Sequence, residues 1–193
     1  MKKILVVNNN DSFVYNLVEI LRLLRVDSDV IICDELTFPI TTTYNGIILS
    51  PGPGIPAEYP QLELLIHRYH KTYPILGVCL GHQSIASYFG ASLVHLNHPL
   101  HGHTSTLHIT HESDTLFLNV PNLSNIGRYH SWVIAPDSLP DCLQSIAKDE
   151  HDNIMAIKHS YYPIYGVQFH PESIISGDTG KQLISNWISD IVF

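Results

Sequence analysis

The chain is 193 residues long, 45% of its residues are hydrophobic, and its formal net charge at pH 7 is −8. This length and apolar content are typical of one globular domain with a substantial core, and they exclude a disordered chain. We therefore predict a single domain over residues 1–193. The acidic balance argues against nucleic acid and anionic membranes as partners, and no apolar run reaches the length of a membrane span.

Cysteine usage and the first residues of the chain indicate an intracellular protein. The three cysteines, Cys33, Cys79 and Cys142, form neither a disulfide framework nor a Cys-x-x-Cys pair. Residues 1–7 have the pattern of a first strand and not that of a signal peptide. We expect a protein of the reducing cytoplasm.

Apolar runs and helical periodicities alternate along the first half of the chain. In chain order we predict strands at 3–7, 29–33, 46–50 and 75–79, with helices after residue 11, over 61–70 and after residue 79. Asp11 and Ser12 are candidates to cap the first helix. Residues 92–158 contain short strand-like runs separated by turn residues, and a last helix is predicted over 180–191. The pattern predicts an α/β fold with an open, mostly parallel, doubly wound sheet flanked by helices and a small antiparallel excursion.

A predicted nucleophile lies where the fourth strand turns into a helix. Cys79 stands between Gly77 and Gly81, directly after the apolar run 74–76. Two glycines allow the sharp strand-to-helix turn of a nucleophile elbow, which leaves the residue between them exposed at the end of a sheet. The start of the following helix favours a thiolate at this position. A structural cysteine between two packing glycines is the alternative interpretation of this segment alone.

A second motif supplies a base and an orienting carboxylate. Residues 165–169 form a short apolar strand that ends in His170, and Glu172 follows across Pro171. A cysteine nucleophile needs a base that also protonates the leaving group, and the base needs an acceptor that orients it. We predict that Cys79, His170 and Glu172 form a catalytic triad.

All of the predicted chemistry falls at one edge of the predicted sheet. The loops 9–11, 51–54, 79–83 and 170–173 each follow a predicted strand. In open α/β sheets the ligand lies beyond the carboxyl ends of the parallel strands. These four loops are therefore expected to surround one site.

Six motifs occur in order along the chain, at 10–17, 49–54, 77–83, 100–105, 128–132 and 167–173. Together they resemble the motifs of the class I, or triad-type, glutamine amidotransferases, whose fold is flavodoxin-like. The resemblance is greatest to the small glutaminase subunits of anthranilate synthase and aminodeoxychorismate synthase, and it covers essentially the whole chain. Six motifs in the family's order are far more specific than any one of them.

The resemblance implies how L-glutamine is bound and hydrolysed. Cys79 attacks the side-chain amide, a glutamyl thioester forms, and ammonia and glutamate are released. The amide of Leu80 is one oxyanion donor by the logic of the elbow, and the resemblance adds the amide of Gly54. The glutamine-binding residues implied by the family are Pro51, Gly52, Gln83, Ser131 and Trp132.

The same resemblance implies a partner. The family passes ammonia to a large, chorismate-binding synthase subunit in a heterodimer or heterotetramer, and that subunit holds Mg²⁺. We expect no cofactor and no metal in this chain. Residues 10–16, residues 101–105 and the segment after residue 173 are candidate contacts. Anthranilate synthesis for tryptophan is the first expectation, and aminodeoxychorismate synthesis for folate, or service to both synthases, is the alternative.

Two other functional classes compete with this one. A stand-alone cysteine hydrolase would share the elbow, but it would not need residues 51–54, Gln83 and residues 128–132 together. A catalytically silent partner should have lost Cys79 or another member of the triad, and this chain keeps all three. Both alternatives are therefore less favoured than the glutaminase.

Four histidines, at positions 95, 98, 101 and 103, raise the question of a metal site. Imidazole is a common zinc ligand, so the cluster must be weighed. The run contains Pro99 and Gly102 and lacks a regular helical or hairpin spacing. We favour surface or interface histidines over a metal site.

Overall fold

A computed structural model describes residues 2–192. The strands in chain order are β1 (Lys3–Asn8), β2 (Asp27–Ile32), β3 (Gly46–Leu49), β4 (Ile75–Val78), β5 (Leu93–His95), β6 (His103–Ile109), β7 (Ser124–Arg128), β8 (Trp132–Ile134), β9 (Leu143–Lys148), β10 (Ile154–His159) and β11 (Ile164–Val167). The α-helices are α1 (Val14–Leu23), α2 (Pro60–Tyr69), α3 (Leu80–Tyr88) and α4 (Gly177–Asn186).

Within the described residues, one nine-stranded sheet has the order β2-β1-β3-β4-β11-β10-β9-β6-β7. Neighbouring strands are parallel from β2 to β11 and antiparallel from β11 to β7. Strands β5 and β8 pair separately in a two-stranded antiparallel sheet. The predicted α/β class is confirmed. Most of the antiparallel excursion extends the main sheet rather than standing apart from it.

Helices cover both faces of the parallel half of the sheet. Ile4 and Val6 belong to the core that includes residues of α1 and α4, whereas Leu5 and Val7 belong to the core that includes residues of α2 and α3. All four side chains are fully buried. A strand that is buried on both faces needs apolar residues at every position, which explains the unbroken apolar run at the start of the sequence.

The ends of two helices differ in detail from the predicted ones. The Phe13 amide donates to Oδ1 of Asp11 at 2.7 Å, so Asp11 supports the start of α1, which begins at Val14. Helix α4 begins at Gly177 rather than at residue 180, and it continues into a π-helical turn, Trp187–Ile191. Glycine lowers helix propensity, so the sequence pattern hides the first turn of α4.

The sheet order brings the predicted functional loops together. Strands β1, β3, β4 and β11 are consecutive parallel neighbours, and the loops 9–11, 51–54, 79–83 and 168–173 follow their carboxyl ends. The convergence expected from the sequence is therefore present. None of the helices in residues 2–192 has both the length and the apolar character needed to cross a membrane.

Candidate active site

Cys79 occupies the sharp turn between β4 and α3. Its backbone has φ 51° and ψ −102°, a conformation that residues other than glycine rarely adopt. The Cys79 amide donates to the carbonyl of Val167 at 2.8 Å, which ties the turn to β11. A conformation of this kind costs about 1–3 kcal/mol and persists only where its surroundings hold it, as they do at functional sites.

The two glycines around Cys79 allow the strand and the helix to approach each other closely. A Cβ atom placed on Gly77 would lie 2.4 Å from the carbonyl carbon of Gly81, and one placed on Gly81 would lie 2.3 Å from the carbonyl oxygen of Leu49. No side chain fits in either space. These contacts explain the Gly-x-Cys-x-Gly pattern and rule out a loose turn at this position.

His170 and Glu172 are paired as the sequence predicts. Nδ1 of His170 lies 2.7 Å from Oε1 of Glu172, and both side chains are almost completely buried. The rings of Phe13 and Tyr129 pack against the imidazole edge-on, with centroids at 5.3 and 5.0 Å. The other ring nitrogen, Nε2, is buried and has no hydrogen-bond partner among residues 2–192, and the residue lines a cavity whose wall also includes Cys79. This nitrogen is the one available to exchange a proton at the site.

The surroundings of His170 favour its protonated form. Burial alone lowers the pKa of the imidazole, but the interaction with Cys79 and the hydrogen bond to Glu172 outweigh it and raise the pKa to about 10. A proton therefore stays on the ring through neutral pH. An imidazolium can stabilise a neighbouring thiolate and can protonate a departing amine, and a cysteine nucleophile needs a partner with both properties.

Two cavities meet at Cys79. The first, of about 290 Å³, is lined by residues 52–54, Cys79, Gln83, His95 and residues 129–132. The second, of about 430 Å³, extends from Cys79 and His170 to residues 10–13 and His101. The predicted glutamine-binding residues Gly52, Gln83, Ser131 and Trp132 therefore share the first cavity, whereas Pro51 lines the second.

The loop after β3 carries the predicted oxyanion donor Gly54. Its φ is +73°, a left-handed conformation that favours glycine, and the nearest side-chain atom to a Cβ placed there would be Oε2 of the exposed Glu58. The preceding carbonyl, that of Pro53, accepts a hydrogen bond from the hydroxyl of Tyr59 at 3.1 Å. The other predicted donor, Leu80, is the first residue of α3 and is buried.

Gln83 is held by the cavity wall. Its Nε2 donates to the carbonyl of Trp132 at 2.9 Å and to Oε1 of Gln168 at 3.2 Å. These two bonds use both amide hydrogens, so Oε1 is the atom of this side chain left to contact a ligand. An acceptor in this position suits the ammonium group of an amino acid.

Two residues that were not predicted as site residues, Arg128 and Asp149, hold part of the cavity wall in place. Arg128 forms a buried salt bridge with Asp149, and its Nε donates to Nε2 of His130 at 3.0 Å. Nδ1 of His130 lies 3.0 Å from the carbonyl of Trp132. Asp149 escaped the sequence prediction because nothing in its local pattern distinguishes it from a surface aspartate in a turn.

The four clustered histidines lie on the surface. His95, His98, His101 and His103 are exposed, and the ring of His95 packs edge-on against Trp132 with centroids 5.0 Å apart. In the part of the chain that the structure describes, no group of three or more His, Cys, Asp or Glu residues is arranged to hold a metal ion.

Known proteins provide an independent comparison. The model of the family described as class-I glutamine amidotransferase matches residues 5–191. The chain belongs to this family. A glutamine amidotransferase needs a nucleophile, a proton donor and an amino-acid-sized cavity, and the groups of this structure with suitable chemistry are the thiol of Cys79, the His170–Glu172 pair and the 290 Å³ cavity.

Two relatives and one solved structure are similar to this amidotransferase along almost their whole length. A protein of Haemophilus influenzae, provisionally named anthranilate synthase component II, is 43% identical over 187 residues, which are 97% of this chain and 96% of the relative. Aminodeoxychorismate synthase component 2 of Escherichia coli K12 is 41% identical over 187 residues, 96% of this chain and 98% of the relative. A solved structure from Thermoplasma acidophilum, provisionally described as one of the subunits of GMP synthase, has a TM-score of 0.86 at 30% identity, and the match covers 97% of this chain and 92% of that protein.

Two buried histidines make the stability of the amidotransferase depend on pH. Burial lowers the pKa of His82 to about 3, and burial together with the charge of Arg128 lowers that of His130 to about 3. In the unfolded chain both titrate near 6.5, so the unfolded state binds more protons as pH falls from 6.5 to 3. Stability is therefore lost on acidification through this window, by up to about 1.4 kcal/mol per pH unit for each group.

We expect His82→Leu to flatten this acid-side loss, because it removes one of the groups that take up a proton on unfolding. The measurement is the free energy of unfolding in urea at several values between pH 6.5 and 5. His98→Leu, at an exposed position, is the matched control and should keep the slope of the unsubstituted protein. An equal slope in His82→Leu and in the control would contradict the assignment.

Proposed function

We propose that this chain is the glutamine-hydrolysing subunit of a chorismate-aminating synthase, with anthranilate as the first candidate product. The observation that carries the proposal is the Cys79 elbow with the buried His170–Glu172 pair, in a chain that matches synthase second components from end to end. Aminodeoxychorismate is the second candidate product, because the relative from E. coli carries that name at 41% identity.

The first half of the reaction forms a thioester. The thiolate of Cys79 attacks the side-chain carbonyl carbon of glutamine, and the carbonyl oxygen becomes an oxyanion that the amides of Leu80 and Gly54 stabilise. His170 donates its proton to the amide nitrogen, the carbon–nitrogen bond breaks, and ammonia leaves. The pKa of His170, raised to about 10 by Cys79 and Glu172 in spite of burial, keeps that proton on the ring at neutral pH.

The second half regenerates the enzyme. Neutral His170 accepts a proton from a water molecule as the water attacks the thioester, and glutamate leaves when the carbon–sulfur bond breaks. Glu172 holds the ring through Nδ1, so Nε2 faces the reacting atoms in both halves. The role of Glu172 is therefore to fix the orientation of the ring and to stabilise its cation.

Tyr59 is expected to aim one of the oxyanion donors. In a trans peptide the N–H of Gly54 points opposite to the carbonyl of Pro53, and the Tyr59 hydroxyl holds that carbonyl at 3.1 Å. Tyr59 is not part of the cavity wall that Pro53, Gly54 and Cys79 share. The Gly54 amide is thereby directed away from Tyr59, as an oxyanion donor requires.

We expect Tyr59→Phe to lower kcat for glutamine about tenfold, because the loop loses the bond that fixes this peptide. The KM for glutamine and the free energy of unfolding should change little. Steady-state kinetics and urea unfolding of the same preparation separate the two effects. Tyr73→Phe, at a partly buried tyrosine packed against the same core, is the control. An unaltered kcat in Tyr59→Phe would remove Tyr59 from the mechanism.

The first cavity suits glutamine as a ligand. Oε1 of Gln83 offers an acceptor to the α-ammonium group, and Ser131 and Trp132 line the same wall. The carbonyl of Trp132 already accepts hydrogen bonds from Gln83 and from His130. The backbone N–H of Trp132 is therefore the group that we expect to contact glutamine. The two contacts together would orient glutamine in the cavity, with its α-ammonium group at Gln83.

An apolar surface beside the triad supports docking of a large synthase subunit. Ile174 is 98% exposed only two residues after Glu172, and Tyr15 and Leu23 are 63% and 61% exposed. Leu23, Ile174 and Glu172 line one shallow groove of about 400 Å³. A partner seated here would cover apolar side chains and contact the element that carries the proposed base.

The second cavity offers ammonia a way out on a neighbouring surface. It extends from Cys79 and His170 to residues 10–13 and His101, which belong to the predicted contact segments. A partner covering this opening would receive ammonia before bulk water protonates it. In this proposal chorismate and Mg²⁺ are bound by the partner.

Product analysis tests the proposal. This chain, glutamine and chorismate are mixed with each candidate large subunit from the same source, and the aminated product is identified by mass spectrometry. Anthranilate alone would assign the chain to the first candidate, aminodeoxychorismate alone to the second, and both products to a subunit shared by the two synthases. Failure to observe glutamine-dependent amination with either partner would overturn the proposed partnership.

A further inference from the structure

Gln168 lies between β11 and His170, and the mechanism above leaves it without a role. Its side chain is fully buried. Its Nε2 lies 3.7 Å from Sγ of Cys79, within reach of an N–H···S hydrogen bond. A buried amide placed against the proposed nucleophile needs an explanation, because burying polar groups is costly unless they are partnered.

The orientation of the Gln168 amide follows from atoms whose hydrogen-bonding role is fixed. The carbonyl of Trp132 can only accept, so the atom of Gln83 that lies 2.9 Å from it is the amide nitrogen. The same nitrogen lies 3.2 Å from Gln168 and must face its oxygen. The nitrogen of the Gln168 amide therefore faces the sulfur.

The Trp132 carbonyl is itself fixed by groups with only one possible role. Arg128 can only donate, so Nε2 of His130, at 3.0 Å from its Nε, is the accepting nitrogen. His130 then carries its proton on Nδ1 and donates it to the Trp132 carbonyl at 3.0 Å. Asp149 holds Arg128 in place from the other side. Every donor and acceptor from Asp149 to the sulfur is thus assigned.

We propose that Gln168 is a further catalytic residue, whose side-chain amide donates a hydrogen bond to the Cys79 thiolate and stabilises the ionised nucleophile. Hydrogen bonds to an ionised acceptor are roughly twice as strong as those between neutral groups. The bond therefore favours the thiolate over the thiol before attack, and it favours the thiolate again as leaving group when the thioester is hydrolysed. The inference rests on the proposed function in taking Cys79 as the nucleophile.

The titratable groups around the sulfur must stay constant in a test of this proposal. The cavity walls that include Cys79 also contain Asp11, His95, His101, Tyr129, His130 and His170. His82 is buried in the first turns of α3. Substitutions at position 168 leave all of these groups in place, so a change in the ionisation of Cys79 can be assigned to the amide.

The experiment is the rate of alkylation of Cys79 by iodoacetamide between pH 4 and 10, with the modified peptide identified by mass spectrometry. It uses neither glutamine nor a partner synthase. Every variant also carries Cys142→Ser, because Cys142 is only partly buried. Burial raises the pKa of the Cys33 thiol to about 11, so that residue reacts little over the same range.

We expect Gln168→Met to move the midpoint of the alkylation profile upward by about one pH unit, a tenfold change in the ionisation equilibrium. Gln168→Glu should move it further, because a carboxylate then faces the thiolate. Gln144→Met, on β9 three strands away from β4, is the control and should keep the original profile. If a variant at position 168 does not fold, Gln83→Leu provides a second test. It removes the hydrogen bond that orients the Gln168 amide, so the midpoint of the alkylation profile should rise by a smaller amount.

Profiles of the folded variants that coincide with that of the unsubstituted protein would overturn the proposal, even if glutamine turnover falls. That combination would mean that Gln168 only packs the site. The opposite combination is a profile that shifts in the position-168 variants while the unsubstituted protein does not hydrolyse glutamine. That result would support the role of Gln168 and would contradict glutamine as the substrate. The two failures are therefore distinguishable.

Discussion

Replacing Cys79 with alanine is expected to lower the rate of glutamine hydrolysis by at least ~10⁴-fold, since removing a nucleophile removes the covalent route as a whole. The backbone at this position is strained, and alanine retains the same backbone restrictions as cysteine, so the elbow should survive. The measurement is glutamate release from glutamine by the chain combined with its partner synthase.

Ammonium salts supply the control for this variant. The partner's own amination should continue when ammonium replaces glutamine, because only glutamine hydrolysis requires Cys79. Loss of both activities would point to a misassembled complex rather than to a missing nucleophile. Retention of glutamine-dependent turnover within tenfold of the unsubstituted protein would contradict the role of Cys79.

Replacing Arg128 with leucine is expected to lower the free energy of unfolding by about 3–5 kcal/mol, because it leaves the charge of Asp149 buried without its partner. Both side chains are almost inaccessible to solvent, at 2% and 0%. The Asp149 carboxylate keeps bonds from the amides of His151 and Asn153, which offset part of the loss. Urea unfolding at neutral pH measures the change.

A surface ion pair provides the matched control for Arg128. Lys148 and Asp152 lie 3.3 Å apart with 37% and 87% of their side chains exposed. Lys148→Met should therefore change the free energy of unfolding by less than ~1 kcal/mol. A similar decrease in the free energy of unfolding in the two variants would contradict the claim that burial makes the Arg128–Asp149 pair more important for stability than a surface pair. The folded fraction of Arg128→Leu should also bind glutamine more weakly, since His130 and the Trp132 carbonyl lose their support.

The features that the sequence predicts well are those written in local patterns. The Gly-x-Cys-x-Gly turn and the pairing of His170 with Glu172 follow from spacing and residue type, but β11 ends at Val167 and not at His170 as the sequence predicts. Their convergence follows from one rule about parallel sheets, and the order β1-β3-β4-β11 confirms it. The orienting bond between His170 and Glu172 is present at 2.7 Å.

The features that escaped prediction depend on contacts between distant positions. Gln83 and Gln168 are 85 residues apart in the chain, and Arg128 and Asp149 are 21 apart. No periodicity marks such pairs, because their partners are set by how strands and loops pack in three dimensions. Tyr59 was missed for a similar reason, since a tyrosine before a helix ordinarily indicates packing and not a hydrogen bond to a catalytic loop.

Local sequence patterns also failed to predict where helix α4 begins and how the antiparallel strands join the main sheet. The sequence indicates short antiparallel strands over residues 92–158, but the pairing of β10 with β11 is what joins most of them to the main sheet. Strand pairing depends on tertiary packing more than on strand propensity. The start of α4 at Gly177 likewise contradicts the helix propensity of its first residues.

The central claim, that Cys79 is a nucleophile facing a glutamine pocket, is tested most directly by covalent trapping. The chain is incubated with a chloroketone or diazoketone analogue of glutamine, and the labelled peptide is identified by mass spectrometry. We predict one adduct, on Cys79, that glutamine prevents and that Cys79→Ser abolishes. Labelling that persists in Cys79→Ser, or that glutamine does not reduce, would contradict the claim.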